Sequence, residues 1–170
     1  MTYKTIDLQV TERKATLTLN RPEAMNAMDF TMMRELAHCF ESLHHEKSVQ
    51  LLVIKGAGKV FSAGGDVKAM VQSTGSSDFG HIMGDISRLV RAYYTLPMIT
   101  IAQIHGAAAG LGFSLALGSD IIVAEHSSKL AMNFIGIGLV PDGGGHFFMK
   151  ERLGTTKAKQ MIWEGKVLNG

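Results

Sequence analysis

A chain of 170 residues that is 46% hydrophobic and 19% charged is long enough for one domain with a sizeable core, and it is unlike disordered or fibrous chains. Its formal net charge of +2, with lysines and arginines interspersed among acids, gives no footing for nucleic acid or a membrane surface as the main partner. Cys39 is the only cysteine, so no internal disulfide is available; a reducing, cytoplasmic setting and a core position are expected.

Residues 1–14 carry no apolar signal core, and no later apolar run reaches the roughly 18 residues that span a bilayer. Tyr3 to Val10 and Ala15 to Leu19 alternate polar and apolar residues around the charged turn Thr11 to Lys14, which predicts a hairpin. Arg21-Pro22-Glu23 breaks the strand. A helix is predicted from Asp29, a suitable N-cap, to His45, with Phe30, Met33, Leu36, Phe40 and Leu43 on its core face. His44-His45 lacks a spacing for zinc and reads as a solvated face at the helix end.

Leu51 to Ile54 reads as a buried strand, and Asp66 can begin a helix running to Met70. Gln72 to Gly80 has the polar and glycine content of a mobile loop, and a helix should resume near His81 with Ile82, Ile86, Leu89, Val90 and Tyr93 inward. Leu96-Pro97 stops it before the strand Met98 to Ile104. Ile104 to Asp120 then reads as a strand end, a turn of small residues and an apolar helix, followed by a buried strand, Ile121 to Ala124. Leu130 to Leu139 reads as a short strand and turn, with helices predicted over His146 to Leu153 and Thr155 to Trp163. Strands alternating with helices argue for an α/β fold, and no linker divides residues 1–170.

Two glycine-bearing loops each follow a core strand: Ala63-Gly64-Gly65-Asp66, and Gly110-Leu111-Gly112. A dinucleotide-binding G-x-G-x-x-G would need glycine at Leu115 after Gly110-Leu111-Gly112 or at Phe61 after Gly56-Ala57-Gly58, and a P-loop would need serine or threonine after Gly58-Lys59 and glycine at Val53, so neither pattern is complete. Small residues let a thin ligand approach the backbone, and free N–H groups at a helix start attract negative charge. The two loops can therefore present a pair of donors to one oxygen. Such a site needs preorganised N–H groups more than particular side chains, and removing one donor costs roughly 2.7 to 4 kcal/mol of barrier.

In this order and spacing, Leu19-Asn20-Arg21-Pro22 through Asn26-Ala27-Met28, FSAGGD, HGAAAGLG through SDIIVA, and IGLVPDGGG resemble the crotonase superfamily of enoyl-CoA hydratases and isomerases. The resemblance implies a ββα superhelix of repeated strand-strand-helix units and a coenzyme A thioester as substrate, with no permanently bound cofactor and no metal. It implies that the N–H groups of Ala63 and Leu111 hold the thioester oxygen. It places Ala63 to Val67, including Gly64, Gly65 and Asp66, near the adenine end of the ligand, and Ala24, Met25 and Ala27 along the pantetheine. Gly110, Gly112, Ser114 and Phe134 fall around the acyl group.

Hydratases of the superfamily position water with two glutamates, whose places fall at Ser114 and Phe134. Neither residue can serve as the base. Asp142 matches an aspartate used by some isomerases of the superfamily, so double-bond isomerisation with Asp142 as proton shuttle is the favoured expectation. The bland alternative is a helix cap. Hydration without the glutamates, a non-catalytic acyl-CoA binder, and a serine hydrolase using Ser114 with His105, His126 or His146 are the rivals. The sequence ends where members of the superfamily continue into a C-terminal helical region that covers the acyl pocket and builds trimers or hexamers, so either a truncated chain or fragment or a different mode of assembly is expected. A homo-oligomer of unspecified number and some exposed apolar surface are expected.

Overall fold

The computed structural model describes residues 2–72 and 76–170, with side chains described throughout these except at 72 and 76–82. Strands β1 (Ile6–Thr11) and β2 (Lys14–Leu19) form the antiparallel hairpin, pairing Leu8 with Leu17 and Ile6 with Leu19. Behind it β3 (Leu51–Gly56), β4 (Ile99–Ile104) and β6 (Ile121–Ala124) add in parallel, giving the order β1-β2-β3-β4-β6 among the described residues. A second, small sheet joins β5 (Ala107–Ala109), β7 (Lys129–Ala131) and β8 (Val167–Asn169).

Helix α1 (Phe30–Leu43) starts as its sequence predicts: the Asp29 carboxylate accepts the Met32 N–H at 2.8 Å, satisfying a donor the helix itself cannot. Met33, Leu36, Phe40 and Leu43 are buried, and the Phe40 ring stacks on Tyr93 of α3 (Ser76–Tyr94) with centroids 4.7 Å apart. Together with Ile86 and Leu89 of α3 and Leu17, Leu52 and Ile54 of the sheet they make the core. Cys39 is buried within it, and desolvation pushes its thiol up to about 12.

Several elements differ from the sequence expectation. Residues 76–80 are helical, so α3 begins earlier than His81; residues 73–75 of the expected loop, and the side chain of Ile82, lie outside the described residues. Ser-Ser-Asp suits a helix first turn as well as it suits a loop. The small residues at 107–109 are strand β5 rather than a turn. Strand β6 occupies the sheet edge, leaving Ile121 and Val123 about half exposed where buried positions were expected. His44 is partly buried, with Nε2 2.9 Å from the Ala92 carbonyl, and so ties α1 to α3 instead of facing water. Among the described residues no helix is long and apolar enough to cross a membrane.

The short helix α4 (Leu111–Leu117) is fully buried and held at both ends. At its start the Gly110 N–H donates to Ala131 C=O at 2.9 Å. At its finish Arg152 of α5 (Gly145–Leu153) donates to the carbonyls of Leu117 and Ser119. Helix α6 (Thr155–Glu164) packs beside α5.

Candidate active site

The two loops meet. The FSAGGD segment runs alongside β5: Ser62 N–H donates to Ala107 C=O, and Ala109 N–H donates to Ser62 C=O, both at 3.0 Å. The Ser62 hydroxyl donates to the Asn26 carbonyl at 2.8 Å and accepts the Gly64 N–H at 3.1 Å, fixing the bend. A Cβ on Gly112 would lie 2.6 Å from that of Ser62, so the start of α4 packs directly on this loop.

This geometry corrects the expected donor pair. The Ala63 N–H is already spent on the Met25 carbonyl at 3.0 Å, because Met25, in a left-handed conformation, turns its C=O toward the loop. Gly64 C=O takes the Met28 N–H and Met28 C=O takes the Asp66 N–H, leaving the Gly65 N–H between them without an acceptor among the described residues. Leu111, as the first residue of α4, likewise has an N–H with no acceptor. Gly65 and Leu111 line the same cavity of about 250 Å³.

Ala63, Gly64, Val67, Gly110, Phe134 and Asp142 line that cavity too. The Phe134 ring lies near Gly110, with its Cζ 3.7 Å from where a Cβ would be, and supplies an apolar wall. Ala24, Met25, Ala27, Asp66, Gly112 and Ser114 are not in the lining. Of the first three, Met25 touches the loop through its carbonyl, while Ala24 and Ala27 are joined by a local turn bond, the Ala27 N–H donating to Ala24 C=O at 3.0 Å; Asp66 starts α2 (Val67–Gln72) by accepting the Ala69 N–H at 3.1 Å. Burial pulls the Asp66 carboxyl upward, but that N–H and the Arg21 guanidinium outweigh it and hold the group below its ordinary value. Met70, Ala109, Asn133, Ile137 and Leu139 complete the lining and were missed in the sequence, where the IGIG pattern around Ile137 was the available signal.

Asp142 does not cap α5. The N-cap there is Gly144, and no side chain bonds the helix end. Its Oδ1 is buried with no hydrogen-bond partner among the described residues. Burial pushes the carboxyl up to about 6 from an ordinary 3.8, an amide N–H offsetting part of the rise. An apolar cavity of about 490 Å³ extends from Asp142 past Val67, Met83, Ile86 and Leu139. A cavity of about 430 Å³ that shares Met83, Ile86, Val140 and Asp142 with it has Arg91, Tyr94 and His146 in its wall. Val140 is 82% exposed, so the mouth is an apolar rim.

Ser114 is fully buried, and its Oγ lies 3.0 Å from the Asp142 carbonyl, with Gly110 C=O and Met132 Sδ as more distant acceptors. Among the described residues no histidine is among its partners, and His105 is engaged with the Gly58 carbonyl at 3.0 Å. The serine has, among the described residues, neither the base nor the access that a nucleophile needs. No group of three or more His, Cys, Asp or Glu residues that could hold a metal occurs among the described residues.

Residues 11–170 match the family model "Enoyl-CoA hydratase/isomerase". The chain is 47% identical over 155 residues to YhaR of Bacillus subtilis, named for the same family, covering 91% of this chain and 60% of that protein. It is 37% identical over 157 residues to the 1,2-epoxyphenylacetyl-CoA isomerase of Escherichia coli, again 91% of this chain and 60% of the relative. The structure superposes on an enoyl-CoA hydratase/isomerase from Mycobacterium paratuberculosis with a TM-score of 0.93 at 28% identity, covering 99% of this chain and 68% of the other. The chain thus spans about 60% of the length of these two curated relatives. On the family match, the sequence likeness and the shared fold, it belongs to the enoyl-CoA hydratase/isomerase family of the crotonase superfamily.

Proposed function

We propose that this chain isomerises the double bond of an enoyl-CoA, with Asp142 as the sole proton carrier. The observation that carries the reading is the half-buried carboxyl of Asp142, whose Oδ1 has no hydrogen-bond partner among the described residues, in the same cavity as the Gly65 and Leu111 N–H groups, which have no acceptor among those residues. The thioester carbonyl oxygen would accept both N–H groups. Asp142, ionised, would take a proton from C2 of a 3-enoyl thioester; the electron pair moves onto the oxygen as a dienolate, which the two donors stabilise. Return of the same proton to C4 re-forms the carbonyl, leaves the double bond between C2 and C3, and regenerates the carboxylate.

Relatives named as hydratases and as isomerases both match the chain, so the reaction is argued from the site. Hydration requires a base for water as well as an acid for the α carbon. Ser114 and Phe134 provide no second carboxylate, and Phe134 makes its side of the cavity apolar. In this reading the apolar cavity beyond Asp142 receives the acyl chain.

Incubating the protein with a 3-enoyl-CoA in deuterated water tests the reading. Formation of 2-enoyl-CoA, abolished by Asp142→Asn with ligand binding retained, supports it. Binding without any double-bond shift, or 3-hydroxyacyl-CoA formation at an ordinary hydratase rate, overturns it.

A further inference from the structure

We infer that Ser114 is a positioning residue: its hydroxyl, donated to the main-chain carbonyl of Asp142, fastens the turn carrying the base to the helix that carries the Leu111 donor. The inference rests on the isomerase reading and assigns a task to a residue outside the cavity lining.

Three observations carry it. The hydroxyl proton has one best acceptor, the Asp142 carbonyl at 3.0 Å, against 3.3 Å to Gly110 C=O and 3.7 Å to Met132 Sδ. The turn passes over α4 at a distance only glycine allows: a Cβ on Gly145 would lie 2.3 Å from Ser114 Oγ, and one on Gly143 would lie 2.3 Å from Leu111 Cδ1. The Asp142 side chain has no hydrogen bond of its own at Oδ1, so its location is set through its backbone. The Asp142 carbonyl also accepts the Gly145 N–H at 2.9 Å, but that bond lies within the turn and cannot fix the turn's place against α4. Ser114 is thus the tether between base and oxyanion donor, a separation on which proton transfer depends steeply.

Among the described residues, Arg91 and Tyr94 of α3 and His146 of α5 line a cavity together with Asp142, while Val67, Met70, Ile137, Leu139 and Phe134 of the donor cavity are not titratable. Loosening the turn admits water to the carboxyl and brings its titration toward that of an ordinary aspartate.

The test compares the parent chain with Ser114→Ala, Ser114→Thr and Asp142→Asn, measuring kcat and KM for 3-enoyl-CoA isomerisation from pH 4.5 to 9 (roughly the range in which carboxyl and histidine groups titrate). The Asp142 carboxyl is followed in parallel by 13C NMR. Ser114→Ala should lower kcat roughly tenfold to a hundredfold with little change in KM, and move the acidic limb and the carboxyl titration to lower pH. Ser114→Thr, which keeps the donor, should restore both. If Ser114→Ala does not fold, Ser114→Cys, a weak donor of similar shape, replaces it with the same expected direction. An inactive Asp142→Asn beside a Ser114→Ala that keeps the parent kcat, limb and titration overturns the role of Ser114 and leaves the isomerase reading standing. An Asp142→Asn with parental turnover overturns both.

Discussion

Gly64 stands directly in front of the Leu111 nitrogen: a Cβ built on it would lie 3.4 Å from that atom and 2.7 Å from the Ala109 carbonyl oxygen. The open space before the donor exists because residue 64 has no side chain. Its φ of +103° adds a second reason for glycine. Gly64→Ala is expected to cost about 1 to 3 kcal/mol of stability and to lower isomerisation roughly a hundredfold or more by displacing the thioester oxygen. Urea unfolding and steady-state kinetics on the same preparation separate the two effects.

The Asp142 carboxyl, raised to about 6, must be ionised to take a proton, so kcat should fall as pH drops through that value. Asp142→Asn should reduce kcat roughly a hundredfold to ten-thousandfold while acyl-CoA affinity, measured by calorimetry, changes only a few fold.

Stability follows the opposite course. The folded state holds the Asp142 proton more tightly than the unfolded chain, so between 3.8 and about 6 the folded state binds more protons and stability declines as pH rises. Above that window the loss is complete. Asp142→Asn is therefore expected to be more stable than the parent at pH 7 by about 1 to 2 kcal/mol, allowing for partial solvent screening, and to equal it near pH 3.5. Denaturant midpoints across this range check the sign.

Arg21 ties two parts of the site. Its Nη1 donates to Ala27 C=O at 2.6 Å and to Asp66 Oδ2 at 3.1 Å, with Asp29 Oδ2 at 3.4 Å. It joins the Ala24–Ala27 segment to the loop that ends at α2. Arg21→Ala should destabilise the chain by about 2 to 3 kcal/mol, since the two carboxylates lose a largely buried partner, and should raise KM more than it lowers kcat. Kinetics with acyl-CoA at two salt concentrations check this, the parent being the less salt-sensitive.

Restoring a glutamate at position 114 should not create a hydratase. The side chain would project into the Asp142 carbonyl and the Gly145 backbone, where even a Cβ on Gly145 would lie 2.3 Å from Ser114 Oγ. Ser114→Glu is expected to lose about 2 kcal/mol or more through overpacking and a buried charge, with isomerisation reduced and hydration still absent by product analysis.

The long periodic segments were legible from sequence alone. Helix α1 announced its cap at Asp29 and its buried face, and β3 its apolar run, because these depend on contacts a residue or a turn away. The glycine-bearing loops were legible as a place for paired donors. Which N–H remains free was not, since the engagement of Ala63 depends on the carbonyl of Met25, far back in the chain. The exposure of β6 was equally hidden: Ile121 to Ala124 has the composition of a central strand, and only sheet order puts it at the edge. Asp142 showed in the sequence as either a cap or a base; the Gly144 cap removes the first reading, and the unpartnered Oδ1 supports the proposal of the second.

Helix α4, pinned by Ala131 at its start and by Arg152 at its finish, makes the Leu111 donor a fixed reference for whatever binds beside it. In the proposed reaction the base would sit on a separate turn and the acyl wall on α2 and α3, so exchanges there would change which carbon loses a proton while the thioester carbonyl stays where it was. Such a division lets the reaction diversify by substitution on one side of the cavity, with the charge-stabilising half inherited intact.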